Sequence, residues 1–134
     1  MGIMIEFIIY ASNFPIEEVY EYIGIEGNKK ILDKREFATL GDEYYIRDEE
    51  SSITYTTGSI DTIDLNDVVN KIFDIIHPKE NEIIDCINKY QLQTMFCVVL
   101  NLPDNPIISL SREFVDMASR LRASIDFDSY VINE

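Results

Sequence analysis

The residues able to carry chemistry are few, and their spacing limits what they can do. A serine or cysteine nucleophile needs a base within hydrogen-bond reach, and the chain has one histidine, His77, which lies directly before Pro78 at the end of an apolar periodic stretch. That setting predicts a helix-end residue. Asp126 and Asp128, with Tyr130 two residues on, share one face of a period-two segment. Paired carboxylates of this kind can divide general acid and general base roles or line a ligand pocket. The same alternation arises wherever one strand face is solvated. The five glycines, at 2, 24, 27, 41 and 58, form neither a GxGxxG fingerprint nor a P-loop. Cys86 and Cys97 make no CxxC, and with a single histidine they fall short of a four-ligand zinc set. Their apolar neighbours predict buried reduced thiols. The expectation is a protein with no catalytic residues, no metal and no cofactor.

Charge supplies the other functional signal. The chain has 25 acidic and 11 basic residues, for a net charge of −14. Such a field repels nucleic-acid phosphates and anionic lipid and steers basic proteins inward. The expected partner is therefore a basic protein, with no nucleic acid and no membrane. The densest acidic segment runs from Asp42 and Glu43 through Tyr44 and Tyr45 to Asp48, Glu49 and Glu50. Exposed, it would pair steering carboxylates with tyrosines that offer interface area and a polar tip. The competing reading is a solvated hairpin whose tyrosines sit in the core. Lys29, Lys30, Lys34 and Arg35 form the one local basic exception, and Gly27 to Lys30 reads as a polar loop.

The elements that must position these residues follow from periodicity. Residues 3–10 (IMIEFIIY) and 93–102 (QTMFCVVLNL) are nearly continuous in hydrophobicity and rich in strand formers, and they predict two central strands. Pro15 opens a helix with Ile16, Val19, Tyr20 and Ile23 on one face, and Gly24 closes it with a left-handed cap. Residues 35–47 and 51–58 predict short strands, paired antiparallel around a turn at Asp48–Ser51. Asp64 caps a helix whose apolar positions 65, 68, 69, 72, 73 and 76 follow helical spacing. Pro78 starts another through Ile83, Ile84, Ile87 and Tyr90, and Ser111 caps a fourth with Phe114, Met117, Ala118 and Leu121 at helical spacing. The alternation at 123–131 predicts a last strand with Ile125, Phe127 and Val131 on the core face and Asp126, Asp128 and Tyr130 in water.

A chain of 134 residues with 46% hydrophobic content is the size of one domain and is too apolar for disorder. No run approaches the roughly 18 apolar residues of a spanning helix, and the start lacks a basic signal-peptide region. Glu6 stands where a myristoylation motif needs Ser or Thr. These features predict a cytoplasmic protein. The order β-α-β-β-β-α-α-β-α-β predicts a single α+β domain, residues 1–134, with helices packed on one face of a mainly antiparallel sheet.

Three segments, IEEVYEYIGI at 16–25, IISLSREF at 107–114 and LRASIDFDSY at 121–130, resemble the bacterial domain of unknown function 4279 family. The resemblance spans nearly the whole chain. It departs from the family pattern where Gly27-Asn28 replaces the proline often found after the helix-ending glycine, and where Tyr55 holds a place often taken by tryptophan. These motifs are structural punctuation, so they speak to fold before activity. Small acidic bacterial proteins of this kind resemble immunity proteins, which implies an inhibitor that covers a basic toxin domain. The alternative is a small-ligand sensor or cryptic enzyme built on a pocket at Asp126, Asp128 and Tyr130. A homodimer through an exposed sheet edge is compatible with either.

Overall fold

The computed structural model describes residues 1–26, 29–32, 51–104 and 108–131. Strand β1 (Gly2–Ala11) is followed by α1 (Ile16–Ile23), β2 (Lys29–Leu32), β3 (Ser51–Thr56) and α2 (Leu65–Ile76). A 3₁₀ turn at His77–Lys79 leads into α3 (Glu80–Tyr90), then β4 (Gln93–Leu102), α4 (Arg112–Arg120) and β5 (Ser124–Val131). The five strands form one sheet in the order β2-β3-β1-β4-β5. All pairs are antiparallel except β4 with β5. The class is thus α+β with a mainly antiparallel sheet, as the element order predicts.

Alternation along β1 decides which face carries the helices. Ile3, Ile5, Phe7 and Ile9 are fully buried, whereas Met4, Glu6, Ile8 and Tyr10 between them are half-buried. The register sets Phe7 beside Tyr55 on β3 and Phe96 on β4, so the buried row continues across the sheet. Val19 and Ile23 of α1, Val68, Ile72 and Ile76 of α2, Ile83 of α3, and Phe114 and Met117 of α4 join the same cluster. All four described helices therefore lie on one face. Aromatic contacts tie the layers together, with Phe96 4.7 Å from Phe7 and 4.9 Å from Phe114 between ring centroids.

Local chemistry sets the helix ends. Asp64 caps α2 by accepting from the Asn66 amide at 3.0 Å, and Ser111 caps α4 by accepting from the Phe114 amide at 3.3 Å. Gly24 ends α1 at φ +73°, a conformation that glycine adopts without a Cβ penalty. Pro15 stands one residue before the first helical position of α1.

The structure corrects two readings. Lys29 and Lys30 belong to β2, opposite Tyr55 and Thr54, and are not in a loop. Cys97 is half-buried rather than buried, because its register with Glu6 and Asp126 places it on the sheet face that carries no described helix, while Cys86 is buried in the core. Of the expected strand pair, Ser51–Thr56 form β3, which pairs with β1 and β2, and residues 35–47 lie outside the described residues.

Tyr55 is 1% exposed, and its hydroxyl has no hydrogen-bond partner among the described residues. Burial pushes the pKa of its phenol well above the ordinary value, with Tyr20 and Cys86 adding to the effect. A buried unpaired hydroxyl costs about 1–3 kcal/mol. Tyr55→Phe is therefore expected to raise stability by about 1 kcal/mol, read as a higher urea midpoint with an unchanged slope. A lowered midpoint would show that the hydroxyl is satisfied.

Candidate functional site

The clearest candidate surface is built around β5. Helix α4 finishes with a Schellman arrangement, in which the Ala123 amide donates to the Ala118 carbonyl at 2.8 Å and the Arg122 amide to the Ser119 carbonyl at 3.0 Å. Arg122 takes the left-handed position at φ 56° that glycine usually fills. The Thr94 hydroxyl donates to the Leu121 carbonyl at 2.8 Å in a buried bond, which fixes where the chain turns into β5.

From that anchor β5 runs parallel to β4 along one side of the sheet. The register places Asp126 beside Cys97, Asp128 beside Val99 and Tyr130 beside Asn101. Continuing across β1, Glu6 lies beside Cys97 and Met4 beside Val99. The face opposite the helices thus carries carboxylates of Glu6, Asp126 and Asp128 interleaved with Met4, Val99 and Tyr130. Asp126, Asp128 and Tyr130 are all exposed. The Tyr130 hydroxyl donates to Asp128 Oδ2 at 2.9 Å. That bond to a carboxylate raises the Tyr130 phenol above its ordinary value, so at neutral pH it serves as a donor and not as a base.

The other face of β5 is unusual. Phe127 aligns with buried Val98, and Val131 with buried Leu102, yet Phe127 is 43% and Val131 57% exposed. The expectation of one wet face therefore understates the exposure, because the helix layer does not cover the edge. No strand pairs with the outer side of β5 among the described residues. An uncovered edge offers a row of backbone donors and acceptors to another chain. Here that row is flanked by carboxylates on one face and apolar side chains on the other.

Asp42, Glu43, Tyr44, Tyr45, Asp48, Glu49 and Glu50 lie outside the described residues. The sequence reading missed an ionic cluster at the helix ends. Glu80, 7% exposed at the start of α3, accepts from Arg120 Nε at 2.6 Å through Oε1 and from a second guanidinium nitrogen at 3.0 Å through Oε2. His77 Nδ1 contacts the same Oε2, and the His77 ring stacks on Phe73 with centroids 4.6 Å apart. The hydrogen bonds from Arg120 hold the Glu80 carboxyl below the usual range despite burial, with His77 assisting. His77 and Glu80 are three residues apart, which is a visible signal, but Arg120 lies 40 residues further on, with nothing local to announce it. This cluster ties the start of α3 to the end of α4.

Among the described residues, fold and surface together define an α+β protein with its helices on one sheet face and an acidic edge strand that no other strand covers. A family model described as Domain of unknown function (DUF4279) matches residues 2–132, and the chain belongs to that family. No curated protein and no solved structure matches it. No described helix is long and apolar enough to cross a membrane, and no group of three or more His, Cys, Asp or Glu able to hold a metal occurs among the described residues.

Proposed function

We propose that this is a non-catalytic binding protein that captures a basic protein through β5, in the manner of an immunity-type inhibitor covering a toxin domain. The observation that carries the reading is the exposed edge strand, on which Asp126 and Asp128 alternate with Phe127 and Val131. A partner strand laid along this edge would form main-chain hydrogen bonds, and its side chains would alternate to match. The best fit is a segment with lysine or arginine toward Asp126 and Asp128 and apolar residues toward Phe127 and Val131. The net charge of −14 steers such a partner and opposes pairing with a second copy, which carries the same charge. Small-molecule sites are concave, whereas Asp126, Asp128 and Tyr130 project from an exposed strand, so the geometry favours a polypeptide over a small ligand.

Capture by the tagged protein from its own cells, with partners identified by mass spectrometry at low and high salt, tests the proposal. The expected result is a basic protein held in a salt-sensitive way, with affinity at least about tenfold weaker for Asp126→Lys/Asp128→Lys. Loss instead on replacing Glu43, Asp48 and Glu49 by Ala would move the surface to the 42–50 segment. Capture indifferent to salt and to both variants would overturn the reading.

A further inference from the structure

We propose that the cleft between α1 and α3 binds a compact organic ammonium ion. The two helices pack against each other, and α1 also contacts β3, which lies on the opposite side of β1 from β4 and β5. Two polar rungs join them. The Tyr22 hydroxyl donates to Asp85 Oδ2 at 2.7 Å, and the Tyr90 hydroxyl faces Glu18 Oε2 at 3.5 Å. Each helix supplies one tyrosine and one carboxylate, and the pairing of 22 with 85 and 18 with 90 makes the helices antiparallel.

Between the rungs lies a cleft of about 290 Å³. Val19 and Cys86, both buried, line its apolar inner part. The lining therefore combines two aromatic rings, two carboxylates and an apolar surface, a set that suits an alkylated cation better than a bare metal ion. Ring faces attract ammonium groups electrostatically, and recognition improves as water is excluded. The size suits a ligand of a few heavy atoms, since the cleft sits at the small end of ligand pockets.

One cation already uses the site. Lys89 Nζ lies 5.2 Å from the Tyr90 ring centroid, and Lys89 itself lines the cleft. The chain's own ammonium thus shows that the ring can take a positive charge, and it competes with an incoming one. The lining carries two negative charges against one positive, so a single further cation brings it to neutrality. This site is separate from the β5 surface, and neither reading depends on the other.

The test is a titration of the full chain with n-butylammonium chloride at constant ionic strength, read by tyrosine-ring NMR shifts, with 1-butanol as the neutral counterpart. The Tyr22 and Tyr90 rings should shift with butylammonium and far less with butanol. Tyr22→Ala, followed by the Tyr90 ring, and Tyr90→Ala, followed by the Tyr22 ring, should each weaken binding several-fold. Lys89→Met should tighten it several-fold by removing the internal competitor, an outcome that a purely structural role for Lys89 would not produce. Parallel titration with Nα-acetyl-lysine amide distinguishes sources: equal binding points to a protein side chain, and preference for butylammonium to a free amine. Equal response to butanol, ring shifts absent for both probes, or weaker binding in Lys89→Met would overturn the proposal.

Discussion

Arg120→Ala is expected to destabilise the fold more than Glu80→Ala, with a clearly lower melting temperature, although Arg120 lies at the surface. The reason is the asymmetry of the pair. The Glu80 side chain is 9% exposed and the Arg120 side chain 47%. Removing Arg120 leaves a buried carboxylate supported by His77 alone, whereas removing Glu80 leaves groups that can hydrate. Glu80→Ala should therefore cost less, about 1–2 kcal/mol. The pH dependence follows from the lowered Glu80 carboxyl. A carboxyl depressed in the folded state contributes stability that is present above its unfolded value and is lost as pH falls through the folded one. The stability gap between wild type and Glu80→Gln should hold from neutral pH down to about 5 and close below the ordinary value of 4.5. Chemical denaturation across that range checks both statements. If Arg120→Ala cost no more than Glu80→Ala, the cluster would be an ordinary surface pair.

Ile72→Asp is expected to abolish folding. Ile72 is fully buried on α2, in the cluster that joins the helices to β1. The change removes about 1.5–3 kcal/mol of apolar burial and places an unpaired charge where no partner can reach it. Together these approach the whole reserve of a small domain, about 5–15 kcal/mol. Circular dichroism should show no cooperative transition for Ile72→Asp, whereas Ile72→Val should melt only slightly early, at a cost of about 1 kcal/mol. A normal melting curve for the aspartate variant would contradict the position of α2 in the core.

The elements legible in the sequence are those written in short-range patterns. The apolar runs of β1 and β4, the helical spacing of Leu65 to Ile76, and the caps at Asp64, Ser111 and Gly24 depend on residues within a few positions of one another, so periodicity and capping chemistry suffice to place them. The shared face of Asp126, Asp128 and Tyr130 is legible for the same reason, since the strand period is two. β2 was hidden because Lys29 and Lys30 look like loop residues, and only pairing with β3 makes them a strand.

Tertiary structure alone decided the rest. Nothing local marks β5 as the edge strand parallel to β4, and it is that placement which leaves Phe127 and Val131 exposed. Nothing local joins Glu80 to Arg120, or sets Tyr22 and Glu18 across from Asp85 and Tyr90. Amino-acid pattern fixes which way a side chain points within its own element. Which element lies opposite depends on pairings between distant segments, and those are settled by how all the apolar faces are buried at once.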